Sequence, residues 1–591
     1  MLSQVKLYNS SIKKSLLKFT HVKNQNHIQF FLLIVFLLFT FHVNLSYAQI
    51  LPDDQEYLRQ QQRANQLREQ LEPSPTIQLH PVQTESVRIP ESESPCSIIQ
   101  RVALVGELSE KFQWALNAAS IDDDLSVGRC IGTQGMSVIM RRIQNVILQR
   151  GFTTTRVLLA PQNLQSGVLT FTLIPGRINQ ILFVESTSSR ATLWNAVPAK
   201  PGDLLNLRDL EQALENFKRV PTAEADIQIT PSSSVNAKPG DSDVLIRWSQ
   251  RLPFRVNLSL DDSGSEYTGK YITATTLSYD HAFALNDLFY SSVIQDVGGG
   301  LPGNRGTSGY TLHYSIPLQQ WLISTTTTSN NYHQSVQGLN QVYIYKGNSA
   351  TSDLRLTRIL YRDARRKLSA GFRLWSRESH NFTDDTEVEV QRRRTNGWEM
   401  SVSHQEFLNL GALNFNLAYR RGTGVLNTLR APEELFGEGS SRMQIINADA
   451  SLNYPFSLRR TAFRYTAAWR AQWNLTPLSP EDRFAIGNRY TVRGFDGERL
   501  LTAERGWTVR QEIAGLIGQT GCEAYAGIDA GQLGGKSSLN LPGTYLAGAV
   551  LGIRLRSSGA YLDFFVGKPI SRPAAYSSND LNTGFNLSYS F

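Results

Sequence analysis

The chain has 591 residues, of which 41% are apolar and 19% charged, and a formal net charge of +8. That balance excludes wholesale disorder, and three cysteines are too few for a disulfide scaffold. A mean hydropathy of −0.27 excludes a polytopic membrane protein made of helices, and excludes nothing made of strands.

The first 48 residues read as an address. Lys6, Lys13, Lys14, Lys18 and Lys23 precede an apolar run over 30–39, and Ser46 and Ala48 supply small residues at a cleavage site. This is the layout of a secretory signal peptide, with an unusually long basic region. Removing it takes away five positive charges and no negative ones, which leaves +3. The positive charge is therefore mostly leader, and it does not imply a nucleic-acid partner. After Ala48 no apolar run is long enough for a transmembrane helix.

Residues 53–71 (DDQEYLRQQQRANQLREQL) predict a helix with acids at its start and few apolar residues: Tyr57, Leu58, Leu67 and Leu71. Such a helix gains little from an apolar core, so it is either solvated or seated in a wet cavity. Prolines 73, 75, 81, 90 and 95 mark 73–95 as an extended linker. Next come a strand over 98–105, a helical region, a helix carrying Met136, Ile139, Met140, Ile143, Val146 and Ile147, and strands over 153–159 and 168–174. A similar order follows about 80 residues later: a strand over 178–184, a helix capped by Asn206, and strands over 225–229 and 244–248. These predict two tandem β-α-α-β-β units. Cys96 and Cys130 lie in the first and could close a loop of about 35 residues in an oxidising compartment, the other reading being two unpaired buried thiols. Cys522 reads as a small strand residue.

From about Phe254 apolar and polar residues alternate over long segments, as in 271–279, 321–328 and 544–555, with Gly, Asn, Asp and Ser between them. A membrane barrel shows lipid one residue in two, and at about 20 residues per strand plus connection the remaining 338 residues predict roughly 16 strands. The chain ends on Phe585, Leu587, Tyr589 and Phe591, alternating with Asn586, Ser588 and Ser590. That ending resembles the recognition signal of bacterial outer-membrane barrels.

Val492-Arg493-Gly494-Phe495, followed by Gly527-Ile-Asp529-Ala-Gly531, resembles the paired motifs of the two-partner secretion transporters (TpsB, the haemolysin secretion/activation proteins). The resemblance extends over almost the whole chain after the leader. It implies a mainly β protein: a 16-stranded transmembrane β-barrel (253–591), preceded by an N-terminal plug helix (49–72), a linker (73–95) and two α+β POTRA domains (96–175 and 176–252). It implies that 492–495 form the tip of a loop folded into the barrel lumen. Asp529, between Gly527 and Gly531, then pairs with Arg493 from the wall. The Cys96–Cys130 pair resembles one common in the family's first POTRA domain.

Rival signals are weaker. The run 530–537 (AGQLGGKS) nearly spells a phosphate loop but lacks the first Gly, and a turn rather than a helix is expected after it. The nine histidines show no metal-ligand spacing, and no G-x-S-x-G nucleophile elbow occurs. The expectation is therefore an outer-membrane pore, not an enzyme, with no cofactor, metal, nucleotide or nucleic acid. Its POTRA domains, in the periplasm, take up a large unfolded exoprotein of haemolysin, adhesin or toxin type through the exoprotein's N-terminal secretion domain. Its other implied partners are outer-membrane lipids and, during biogenesis, the barrel-assembly machinery. A barrel-assembly insertase of the same superfamily, or a passive porin, is the alternative reading.

Overall fold

The computed structural model describes residues 52–72, 75–79, 88–185, 187–518 and 521–591. The leader lies outside the described residues, as do parts of the linker. Helix α1 (Pro52–Leu71) comes first. In the first small unit, strands Arg101–Val105 and Val168–Ile174 run parallel, and Arg156–Leu158 pairs antiparallel beside the latter. Helix α2 (Thr133–Gln149) covers this sheet with Val138, Ile139, Ile143 and Ile147, all buried. The predicted strand over 98–105 is broken. Ser97–Ile98 turns away to pair with Cys130–Ile131, and the Cys96–Cys130 disulfide closes next to that ladder. The predicted helical region is the 3-10 helix Ser109–Ala119.

The second unit has the same sheet order: Ile178–Phe183, Ser242–Gln250, Ala223–Pro231. Its helix α3 (Leu207–Phe217) opens on Asn206, whose Oδ1 accepts from the Arg208 N–H at 2.9 Å. It buries Leu210, Ala213, Leu214 and Phe217 against Val244, Ile246 and Trp248. Each buried Leu, Phe, Val or Ile among them stabilises by about 1.5–3 kcal/mol. The expectation of a further helix in this unit is wrong. Residues 187–200 are bends, turns and irregular chain rich in the turn formers Ser188, Ser189, Thr192 and Pro198, and they deliver Leu193, Ala196 and Val197 to the core without forming a helix. The Leu207 N–H donates to Gly151 O at 2.9 Å, so α3 begins against the glycine that follows the C-cap of α2.

Sixteen antiparallel strands then close into a barrel. They are β1 (Phe254–Asp261), β2 (Ile272–Asp280), β3 (Leu288–Asp296), β4 (Gly306–Leu318), β5 (Trp321–Gln337), β6 (Val342–Arg362), β7 (Arg366–Thr383) and β8 (Arg393–Leu408). These are followed by β9 (Gly411–Thr423), β10 (Gln444–Leu458), β11 (Thr461–Asn474), β12 (Arg505–Ile517), β13 (Cys522–Gly534), β14 (Tyr545–Ser557), β15 (Ala560–Ser571) and β16 (Asn582–Ser590). Closure satisfies every strand edge, which lipid demands. The seam pairs Leu260 of β1 with Leu587 of β16. Leu587, Tyr589 and Phe591 lie on the exposed outer face, and the Phe591 N–H donates to Val256 O. Phe585 is half-buried, with its ring 6.1 Å from that of Tyr271. Cys522 opens β13. Among the described residues no helix is long and apolar enough to cross a membrane.

The second small unit sits on the even-to-odd end of the barrel. Leu288 and Tyr290 of β3 belong to its apolar core. Asn195 donates to Leu285 O at 2.5 Å in the β2–β3 turn, and Asn216 to Gln319 O at 2.8 Å in the β4–β5 turn.

Candidate functional site: an anchored lumenal loop and a plug helix

The connection between β11 and β12 runs over residues 475–504 and folds back inside the barrel. A short hairpin narrows its base, with Phe484 opposite Ala503 and Ile486 opposite Leu501. Beyond Ile486 the chain turns through Gly487 and comes to a tip at 492–495. Gly494 has φ +104°, a conformation that only glycine adopts without strain.

Arg493 is the centre of the tip. Its backbone N–H, Nε and Nη2 donate to the Asp529 carboxylate at 3.0, 2.7 and 2.9 Å. A planar guanidinium on a carboxylate fixes orientation as well as charge. Asp529 faces inward because strand side chains alternate: the neighbouring Ile528 is 56% exposed on the outer face, whereas Gly527, Asp529 and Gly531 are buried. The flanking glycines make room. A Cβ on Gly527 would lie 2.6 Å from Arg493 Nη2, and one on Gly531 would lie 3.1 Å from a Val492 methyl. Val492 is fully buried, and Phe495 meets the Tyr576 ring nearly edge-on at 5.7 Å.

Four further residues complete the anchor without having been singled out in the sequence. Glu512 of β12 accepts from Arg493 Nη1 at 2.5 Å and from Arg554 Nη2 of β14 at 3.0 Å. Gly548 of β14 lets the tip lie on the wall, since a Cβ there would fall 2.0 Å from Arg493 O. Asn582 of β16 donates to Gly494 O at 2.8 Å. A period-two pattern marks Glu512, Arg554 and Asn582 as wall residues but does not reveal which of them are neighbours.

The loop is held at the opposite wall too. Arg377 of β7 makes a two-pronged contact with Asp482 at 3.0 Å on each arm, and both side chains are buried. Ser379 Oγ donates to Glu481 at 2.7 Å.

Helix α1 lies against this loop inside the barrel. Leu58 packs on Ala485 and Leu500, Arg59 Nη2 donates to Gly497 O at 2.8 Å, and Asn488 Nδ2 donates to Gln62 Oε1 at 2.5 Å. The Tyr57 ring sits 5.5 Å from the Arg377 guanidinium. The helix also touches the β1–β2 connection, through Glu56 to Thr268 at 3.1 Å, and Glu72 just after it meets Tyr290 of β3 at 3.2 Å. A helix polar nearly all round is thus buried among polar partners. A cavity of about 860 Å³ remains beside it, lined by Gln62, Gln66 and Glu69 of the helix and by Asp449, Arg470 and Arg510 of the wall.

The phosphate-loop look-alike holds a carboxylate: Glu504 accepts from the Ser537 N–H and Oγ, at 3.1 and 2.8 Å. Among the described residues no group of three His, Cys, Asp or Glu is placed to hold a metal ion.

Residues 240–555 match the family described as haemolysin secretion/activation protein ShlB/FhaC/HecB. Residues 117–176 match the ShlB-type POTRA domain, and 177–231 match a POTRA domain. The chain is 33% identical over 553 residues to the outer membrane transporter CdiB-2 of Burkholderia pseudomallei, covering 91% of this chain and 94% of that protein. It is 24% identical over 445 residues to the hemolysin transporter protein ShlB of Serratia marcescens, covering 74% and 77% of the two chains. The solved structure of CdiB from Acinetobacter baumannii superposes with a TM-score of 0.79 at 31% identity, covering 92% of this chain and all of that one.

Proposed function

The chain belongs to the haemolysin secretion/activation family ShlB/FhaC/HecB, and we propose that it exports one large unfolded exoprotein by exchanging its plug helix for the cargo chain. It is a two-partner secretion transporter, with its barrel in the outer membrane and its POTRA domains in the periplasm. The cargo is a secreted protein with an N-terminal secretion domain, captured at the POTRA domains, where a sheet edge and adjacent helix bind an extended chain. Outer-membrane lipids cover the barrel's apolar outer face. The barrel-assembly machinery inserts it, with the terminal Phe585, Leu587, Tyr589 and Phe591 as the signal. The domain divisions at 48, 72, 95, 175 and 252 are part of this proposal.

One observation carries the reading: α1 sits in the lumen through contacts that are mostly polar, to Asn488 and Gly497 of the loop and to Thr268 and Arg377 of the barrel. Polar contacts in a wet lumen exchange for water at small net cost, so the plug is built to leave. The loop is built to stay, through the Arg493, Asp529 and Glu512 cluster. Removing one member of a buried ion cluster costs about 3–5 kcal/mol, because its partners are left unpaired. Arg493→Ala therefore abolishes secretion while leaving the barrel in the membrane. The measurement is exoprotein in the medium at matched levels of transporter. Normal export by that variant removes the loop from the mechanism.

A further inference from the structure

A short piece of the linker, residues 75–79, lies along helix α3, and its main chain is read as a strand edge would be. The Leu79 N–H donates to Glu211 Oε1 at 2.7 Å, and the Ile77 N–H donates to Glu215 Oε1 at 3.2 Å. The carbonyl of Ile77 accepts from Arg362 Nη2 of β6 at 2.5 Å, and that of Leu79 from Arg208 Nη2 at 3.4 Å. The Ile77 and Leu79 side chains pack on the apolar core of the second POTRA domain. The intervening Gln78 points the other way, to Ala364 O at 3.3 Å in the β6–β7 turn.

The spacing explains why an extended chain fits. Glu211 and Glu215 stand four residues apart on α3, a rise of about 6 Å. Alternate residues of an extended chain repeat every 6.4–6.8 Å or so. Two helix carboxylates one turn apart therefore meet two successive inward N–H groups of a strand. The carboxylates are held in place from behind. Arg362 Nε bonds Glu211 at 2.9 Å, and Lys367 bonds Glu215 at 2.6 Å. Glu211 is fully buried and Glu215 nearly so. Apart from the Gln78 amide on Ala364 O, the arrangement reads only apolar character at two positions two apart.

We propose that residues 75–79 are a stand-in for cargo. They occupy a receptor formed by α3 and the β6–β7 turn, whose true ligand is an unfolded segment of the exported protein with apolar residues at i and i+2. The inference rests on the export reading above and adds the receptor and its occupant. Residue 75 follows the last described residue of the plug segment by only three positions. A cargo segment that takes the receptor therefore releases the tether of the plug, and a seated tether excludes cargo. Binding and unplugging are two sides of one competition.

The test uses the full-length chain in detergent and two labelled nine-residue peptides. One copies residues 73–81, and the other is an unrelated sequence with valine at the two apolar positions. The double variant Ile77→Pro, Leu79→Pro removes both main-chain donors of the tether and vacates the receptor. Both peptides are expected to bind this variant roughly tenfold or more tighter than they bind the unaltered protein. N-methylation at the two apolar positions is expected to weaken that binding by a similar factor. If the proline variant fails to assemble, Ile77→Ser, Leu79→Ser serves in its place, since it removes the apolar anchors instead. Equal binding to the altered and unaltered proteins, or no binding to either, overturns the proposal. Binding by the self-derived peptide alone overturns the cargo half, because it makes the site a private latch. A chain that binds both peptides but exports no protein contradicts the export reading and leaves the receptor standing.

Discussion

Asp529 takes three hydrogen bonds from one arginine, and that is possible only because the wall opposite the tip has no side chains in the way. Gly548 is the strictest of these positions: the backbone of Arg493 passes where a Cβ would be. Gly548→Val is expected to lift the tip off the wall and break the Arg493–Asp529 contact. The barrel ladder is untouched, since valine suits a strand. Overpacking of this kind costs about 1–3 kcal/mol locally. Export should fall at least as far as in Arg493→Ala, while heat-modifiable mobility in gels, which reports a closed barrel, stays normal. At this scale the sequence was readable where a motif joined residues far apart, as for Arg493 and Asp529. It was silent on Glu512, Arg554, Gly548 and Asn582. A single sequence gives each strand's inward face but not its register against its neighbours, and the contact network is a matter of register.

Among the elements, α1 shows how much a composition can reveal and where it stops. Its polar surface predicted a wet cavity or open solvent, and the cavity is what the fold provides. The partners on the cavity wall were not legible. Arg377 and Asp482 lie 105 residues apart and meet only because the β11–β12 connection crosses the lumen. That pair holds the loop's outer arm under the ring of Tyr57. Arg377→Gln strips the two-pronged contact and the cation beneath the ring, and is expected to loosen the plug with the Arg493 anchor intact. Single-channel recordings in planar bilayers should show open events at least about tenfold more frequent, which corresponds to the roughly 1.4 kcal/mol that a buried cation–π contact and a charge-assisted bond readily supply. Unchanged closure would remove Arg377 from the gate. In the first POTRA domain, the Cys96–Cys130 link spans 34 residues. Loop-closure entropy makes such a link worth roughly 3–4 kcal/mol. Cys96→Ser, Cys130→Ser should thus make residues 96–175 the first part of the chain to be cleaved in a protease series, with the barrel fragment surviving. In the second POTRA domain a helix was expected from analogy with the first, and 187–200 is a run of turns instead. The repeat in the sequence lay in the strands and the long helix, whose apolar residues fill a core. Residues 187–200 still bring Leu193, Ala196, Val197 and Ala199 to the core, so the packing role is kept while the backbone is not helical.

The dimensions of the whole molecule decide what can pass. An α-helix with its side chains is about 10–12 Å across, and 20 residues of it are about 30 Å long, which matches the hydrocarbon thickness of a bilayer. Helix α1 has 20 residues, and with it seated a space of about 860 Å³ is left beside it. Departure of the helix therefore opens a channel roughly one helix wide through a barrel that keeps its loop. An extended chain or a hairpin fits that bore, since paired strands lie about 4.8 Å apart. A folded domain of 100 residues has a radius of gyration of about 13 Å and does not. Unfolded cargo is thus a requirement of the geometry. The periplasm offers no nucleotide to drive export, so folding on the far side is left to bias the movement. A small disulfide-locked domain fused behind the cargo's secretion domain should therefore stop in the pore, with the secretion domain protease-accessible outside and the locked domain protected inside. Replacing the locked domain's cysteines by serine should restore passage. Export of the locked domain in folded form would mean that the loop at 475–504 leaves the lumen along with the plug. In that case the Arg493–Asp529 anchor would be a latch that opens in each cycle.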